Sequence, residues 1–335
     1  MEIISAMEES ARFNPIFDII TVDEVRMKHL LNFHDVYEYE GDLGAGTFGT
    51  VKSYRYRATG VIYALKEIRL RSWMTFNAFK CEVEIMKELS KQNDSILQYH
   101  DAFVYTLNGS SIYTIVTEYI EGFTLKTYIE RLIESERVID PKTLLNFSHW
   151  LFSTLSFMHE VGYAHRDIKP SNIMVDIKRR RFVLLDFGAG CRLKADSPDL
   201  DNFRKQLGTS HYMAPELWYH GVIERSFFGL IGSDISILKK TDIWAAGITI
   251  YHLVEKKIPW SSGDEIDLLR DEIIGPYELK MSSGSLVVRQ ILTMALVRDP
   301  GGRKTATEIL TKIKEMIRRS TVRAPSESIK LRQLQ

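Results

Sequence analysis

Apolar positions along this chain change rhythm, from alternating to helical. From Val36, the run YEYEGDLGAGTFGTVKSYRYRATGVIYALKEIRL predicts strand, glycine turn, strand, turn at Thr59–Gly60, strand. AFKCEVEIMKELSK (78–91) shifts to a helical spacing, with Phe79, Val83, Met86 and Leu89 on one side. Ile96 to Tyr119 returns to two strands around a turn at Asn108–Gly109. Beyond Gly122 the helical rhythm dominates. PKTLLNFSHWLFSTLSFMHEVG (141–162) predicts a long helix ended by Gly162, with Leu145, Trp150, Leu151, Leu155, Phe157 and Met158 mostly inward. More helices run through SLVVRQILTMALVRDPGGRKTATEILTKIKEM. Ahead of the strands, DEVRMKHLLNF places Val25, Leu30 and Leu31 on one helical stripe, which predicts a short segment packed outside the first sheet.

Composition narrows the class without choosing a function. A chain of 335 residues suits one large domain or two lobes. Its 44% hydrophobic and 26% charged residues are ordinary for a globular protein. Formal net charge is zero, so nothing global argues for nucleic acid as partner. Charge is uneven locally: residues 1–24 carry six acidic side chains against Arg12 alone, and 311–335 carries seven basic against two acidic. Two cysteines, Cys81 and Cys191, make no disulfide scaffold, and with the histidines they lack the spacing of a tetrahedral metal site. No window reaches the length of a membrane span and no secretory signal pattern opens the chain. The expectation is a cytoplasmic or nuclear protein.

Chemistry concentrates between Ala164 and Glu216. Asp167 and Asp186 each lie beside a short apolar run, Asn172 stands five residues past the first, and Phe187–Gly188 follow the second. Mg-nucleotide chemistry needs this inventory: hard oxygen ligands, an acceptor near an attacking hydroxyl, and a cation for phosphate. Upstream, Gly44-Ala45-Gly46-Thr47-Phe48-Gly49 with Val51 fits GxGxxGxV between two strands. No helix opens directly behind it, so it is not the dinucleotide fingerprint. Its glycines would let backbone N–H groups approach phosphates. Lys66 in YALKEI is a strand cation, and Glu82 and Glu84 on the following helix are both candidates to pair with it.

HRDIKPSN, DFG and APE, with the glycine run and strand lysine upstream, resemble the eukaryotic protein kinase set in its order. The resemblance covers about 37–317. It implies an α+β, two-lobed kinase-like fold: a small antiparallel-sheet lobe with one main helix (37–121), then a larger, mainly helical lobe (122–317). Residues 1–36 would be an extension, 217–241 an insert, and 318–335 a basic tail. ATP is the implied cofactor, with Mg2+ or Mn2+, and the implied partner is a protein bearing a Ser or Thr acceptor. By resemblance Asp167 takes the hydroxyl proton, Lys169 steadies the γ-phosphate, and Thr209 faces both. Asn172 and Asp186 hold the metal, and Lys66 meets the phosphates while paired to Glu82. The nucleotide would lie against Gly44, Gly46, Phe48, Gly49, Val51, Ala64 and Met174. Thr117 would be the gatekeeper, and Glu118 to Ile120 the hinge.

His165 and Phe187 resemble the family's spine residues, stacking with Met86 and Tyr99. Arg303 is expected to pair with Glu216, and Asp242 to tie the catalytic loop. Many relatives carry an acid where this chain has Thr124. HRDIKPSNIM and YMAPE resemble the Ste20-like, MAP-kinase-kinase-like and NimA-related groups without choosing among them. Arg166 calls for an activation-loop partner, either phosphorylated Ser197 or a built-in carboxylate at Asp199 or Asp201. Residues 1–33 or 217–241 would receive a regulatory protein, and the expected state is a monomer or weak dimer. The alternative is a pseudokinase that acts by binding a partner protein.

Overall fold

A computed structural model describes residues 15–22, 25–46, 49–69, 73–193, 209–218, 236–261, 265–275, 280–281 and 286–321. The chain divides into two compact units, Met1–Glu121 and Gly122–Gln335. The fold is two-lobed, a small sheet-based lobe followed by a larger helical one.

The first unit is built on a seven-stranded sheet. Its strands are β1 (Phe17–Val22), β2 (Val25–Leu30), β3 (Tyr37–Gly46), β4 (Gly49–Tyr56), β5 (Ile62–Ile68), β6 (Tyr99–Leu107) and β7 (Ser110–Glu118), in the order β1-β2-β6-β7-β5-β4-β3. All neighbours are antiparallel except β2 and β6, which run parallel. The β6–β7 hairpin turns on Asn108 and Gly109, both at positive φ (50° and 74°), the backbone that two-residue hairpin loops demand. A short helix, α1 (Phe33–Val36), precedes β3, and α2 (Trp73–Leu89) follows β5. On α2, Phe79, Met86 and Leu89 are buried as their spacing predicts, together with Ile85, while Val83 is half-buried.

The helix expected over 23–33 is a correction. Val25–Leu30 is a strand, and Leu30 is buried while Leu31 is 57% exposed, a change between neighbours that a strand makes and a common helical stripe does not. The two charged residues Arg26 and Lys28 alternate with Val25, Met27 and His29, and antiparallel pairing with β1 over all of Val25–Leu30, joined to β6 at His29, decides between the two readings. The Lys28 ammonium bonds both carboxylate oxygens of Asp101 on β6, at 2.8 and 3.0 Å.

In the second unit, β8 (Gly122–Thr124) joins β10 (Ile173–Asp176) and β11 (Arg181–Leu184), and β9 (Tyr163–Ala164) pairs with β12 (Cys191–Arg192). The helices are α3 (Leu125–Glu134), α4 (Pro141–Val161), α5 (Pro215–Trp218), α6 (Ile237–Glu255), α7 (Ile266–Ile274), α8 (Leu286–Ala295) and α9 (Ala306–Thr321). α4 starts because the Asp140 carboxylate accepts the Thr143 N–H at 2.8 Å with Pro141 in the first turn, and it ends at Gly162, φ 95°. Its inward face is set by Leu144, Phe147, Leu151, Phe152, Leu155 and Met158. Leu145, Trp150 and Phe157, expected inward, are only half-buried, a phase error on a helix packed by both α9 and α6. α6 is apolar on every side and buried from Leu238 to Val254 apart from Lys239, Lys240 and His252, so it is the axis of this unit.

Candidate active site

In the first unit, the sheet register brings the expected nucleotide residues to one face. Val51 pairs with Lys66, and Ala64 with Thr117. Because directly opposed residues share a face, these four side chains line the same side of the sheet. The Thr117 hydroxyl donates to the Ala64 carbonyl at 3.2 Å. Lys66 reaches α2, where its ammonium bonds both carboxylate oxygens of Glu82 at 2.7 and 2.9 Å. Glu82 is 3% exposed, whereas Glu84 is 66% exposed and lies 3.9 Å from Lys80. Glu118 and Ile120 are buried, and the Glu118 carboxylate accepts the Gln98 N–H at 3.2 Å.

The glycines of the β3–β4 hairpin serve different ends. A Cβ on Gly49 would lie 2.1 Å from the Glu67 carbonyl, so packing of the neighbouring strand demands glycine there. A Cβ on Gly44 would meet nothing within 4 Å, which leaves its outer side open to a ligand. Gly46 pairs with Gly49 at the end of the hairpin; Thr47 and Phe48, at its tip, lie outside the described residues.

In the second unit, one carboxylate gathers the expected catalytic set. Asp167 Oδ1 accepts the Thr209 N–H at 3.0 Å and the Thr209 hydroxyl at 3.2 Å. Its Oδ2 lies 2.6 Å from the Lys169 ammonium and accepts the Asn172 amide N–H at 3.0 Å. Lys169 also donates to the Thr209 hydroxyl, at 2.6 Å. A second bond from the Asn172 amide, to the Asp167 carbonyl at 2.9 Å, fixes which way that amide faces. Its nitrogen is committed to Asp167, so its Oδ1 is the atom left to ligate. The Leu185 N–H donates to the Asn172 carbonyl at 2.9 Å, which sets Asp186 beside that asparagine in the fold. Met174 is half-buried on β10, opposite Val183 and Thr124.

The loop is held in a backbone state it would not choose unaided. Arg166 and Asp186 have φ of 67° and 58°, the left-handed region that costs a residue with a side chain about 1–3 kcal/mol. Asp242, fully buried on α6, accepts the His165 N–H at 2.9 Å and the Arg166 N–H at 2.7 Å. Burial alone would raise the Asp242 carboxyl; the His159 ring at 2.9 Å and the His165 N–H outweigh it and hold the group below the usual range. His159 was missed in the sequence, where it reads as one more residue of a buried helix. His165 is buried, donates from Nε2 to the Leu185 carbonyl at 2.9 Å, and meets the Phe187 ring at 5.0 Å between centroids. Glu216 takes a two-pronged pair from Arg303 at 2.7 and 3.0 Å, and Arg303 lies over the Trp244 ring. Arg166 donates to the Ala189 carbonyl at 3.2 Å; Ser197, Asp199 and Asp201 lie outside the described residues, as do 219–235 of the insert and 322–335 of the tail. Thr124 caps α3 by accepting the Thr127 N–H at 3.1 Å, which gives that hydroxyl a structural task.

These residues fit a magnesium nucleotide. Among the described residues, no three His, Cys, Asp or Glu side chains are placed to hold a metal by themselves. Magnesium asks for less: one or two protein oxygens, with phosphate and water completing the shell. Asn172 Oδ1 and the Asp186 carboxylate are oxygens of that kind.

A lysine–glutamate pair on a sheet face, and an acid-centred loop anchored from below by a buried helix, are the working parts of the protein kinases. The protein kinase domain family matches residues 37–313, and the chain belongs to that family, within the eukaryotic protein kinase superfamily. It is similar to the MAP kinase kinase MKK1/SSP32 of Saccharomyces cerevisiae, 32% identical over 263 residues, covering 77% of this chain and 46% of the relative. Sperm motility kinase 2A of Mus musculus is 30% identical over 284 residues, covering 83% and 49%. Serine/threonine-protein kinase SSK22 of Saccharomyces cerevisiae is 27% identical over 339 residues, covering 92% and 24%. The chain thus spans between about a quarter and a half of the length of these curated relatives, and its similarity is spread over several kinase groups. Among the described residues, no helix is long and apolar enough to cross a membrane.

Proposed function

We propose that this protein is a serine/threonine protein kinase that transfers the γ-phosphoryl group of ATP to a protein hydroxyl. The observation that carries the reading is the Asp167 carboxylate, which meets Lys169, Asn172 and Thr209 at once. Asp167 orients the acceptor hydroxyl and receives its proton as the oxygen–phosphorus bond forms and the bond to the ADP oxygen breaks. Lys169, already beside Asp167, balances charge on the transferring group. Lys66, held by Glu82, supplies the cation for the α and β phosphates. Asn172 and Asp186 would hold Mg2+, which neutralises charge on the β and γ oxygens when bound. By resemblance to the family's serine/threonine members, Lys169 and Thr209, which meet at 2.6 Å, favour Ser and Thr over Tyr acceptors, in keeping with the relative SSK22, which is named a serine/threonine-protein kinase.

The test is transfer of labelled γ-phosphate by the purified full chain to libraries with Ser, Thr or Tyr as sole acceptor. Asp167→Asn is expected to abolish transfer with the thermal midpoint retained. Full activity in Asp186→Ala would sink the assignment. ATP binding without any turnover in the parent would make the protein a kinase-like binding module.

A further inference from the structure

α6 carries a second anchor for the reacting loop. Asp242, near its start, ties the segment holding Asp167. Ten residues on, about 15 Å along the axis, His252 meets the Tyr212 hydroxyl with Nδ1 at 2.8 Å. Tyr212 ends a 3-10 turn, Ser210–Tyr212, whose last N–H donates to the Thr209 carbonyl at 2.9 Å. Thr209 is the residue that bonds the Asp167 carboxylate through both N–H and hydroxyl. The adjoining His211 carbonyl accepts the Trp260 indole N–H at 2.9 Å. Tyr212 and Thr209 also wall a cavity, with Asp167, Met213, Leu217 and Ala245.

We propose that His252 is a positioning residue for residues 209–216, the platform on which the kinase reading seats the acceptor peptide, its imidazole accepting a hydrogen bond from the Tyr212 hydroxyl and thereby fixing Thr209 against Asp167. The proposal rests on the kinase reading, and it adds to that reading the part of α6 that sets the distance between platform and acid. The chemistry matches. Burial alone takes the His252 ring down to about 4, and burial pushes the Tyr212 phenol up. At neutral pH the pair therefore offers one proton and one lone pair, with no charge on either side. A neutral hydrogen bond in a half-buried site is directional, and it sets the platform's height without attracting a charged peptide residue.

The test joins hydrogen exchange of the 209–216 backbone with separate KM measurements for peptide and ATP. His252→Leu and Tyr212→Phe each remove one side of the bond, and thermal midpoints check that both fold. Both are expected to speed exchange across 209–216 and raise peptide KM about three- to tenfold, with ATP KM unchanged. The double variant should be no worse than either single one. His252→Asn, whose Oδ1 can take the place of Nδ1, should restore parental exchange and peptide KM. Parental exchange and peptide KM in folded His252→Leu would overturn the proposal, as would failure of His252→Asn to differ from His252→Leu. Exchange needs no turnover, so a parent that transfers no phosphate would break the kinase reading while this contact was still judged by exchange.

Discussion

Lys66 and Glu67 are neighbours on one strand, and the pleat sends them to opposite faces of the same sheet. On one face Lys66 pairs with Glu82 of the following helix, in line with Val51, Ala64 and Thr117. On the other, Glu67 is 7% exposed and accepts the Tyr54 hydroxyl at 2.7 Å, the Tyr105 hydroxyl at 3.0 Å and the Lys52 ammonium at 2.7 Å. Residues 30–37 cover that second face. Phe33 stacks on Tyr105 at 3.9 Å and 6°, with Leu30, Val36, Phe103 and Tyr37 around it. The difference teaches where each face gets its order. The Lys66 face takes its order from a charged pair with α2, the Glu67 face from an aromatic cap, a cluster into which the segment ahead of the family match inserts Phe33.

Breaking the cap should have the largest effect. Phe33→Ala is expected to cost about 3–5 kcal/mol in chemical denaturation, because a ring in full contact leaves a cavity beneath α1. A loss below about 1 kcal/mol would show that the two faces do not fold as one unit. Lys66→Arg probes the other face. It keeps a cation for Glu82, so the thermal midpoint should hold, while phosphotransfer falls on the order of a hundredfold because a planar fork replaces a point charge. A midpoint drop as large as that of Phe33→Ala would erase the distinction between the faces.

Glu67→Gln should cost about 1–3 kcal/mol by weakening three bonds at a buried acceptor, with turnover per folded molecule within about threefold of the parent. Loss of turnover instead would mean that the cap governs Lys66. Thr117→Met, on the Lys66 face, should weaken an inhibitor with a bulky group behind the adenine by about tenfold or more, and leave stability nearly unchanged. Equal affinities would move the gatekeeper elsewhere.

The smallest effect is a titration. Burial, followed by the Asp101 charge for Tyr37 and by Glu67 for Tyr54 and Tyr105, raises all three phenols far above their ordinary value. Each is raised above its unfolded pKa near 10, so its contribution is full below pH 10 and is lost as pH rises further. Ultraviolet titration at pH 11 should leave these three rings neutral in the parent and ionise them in Phe33→Ala.

Much of the site was legible because the chemistry fixes residue types at short spacing: Asp167, Lys169 and Asn172 lie within six residues, and Asp186 opens its own motif. Lys66 and Glu82 were legible as a strand cation and a helix acid, although choosing Glu82 over Glu84 rested on the resemblance. The cap was not legible. Val25, Leu30 and Leu31 fit a helical stripe, and only pairing with β1 along its whole length, and with β6 at His29, turns that stretch into a strand. Tyr212 and His252 stand 40 residues apart with no motif joining them, so only the fold brings them together. On α4 the long apolar run marked the helix, but with partners on two sides it could not fix the phase.

The Asp242 anchor also has a consequence in time. It joins residues 77 positions apart, so during synthesis the loop bearing Asp167 emerges well before the carboxylate that will hold it. At about 5–20 residues per second, the interval is roughly 4–15 s. Through those seconds the nascent chain carries its future reacting loop without the bonds to His165 and Arg166. A ribosome stalled between residues 188 and 242 therefore holds every amino acid of the HRDIKPSN and DFG motifs and none of their anchorage to α6.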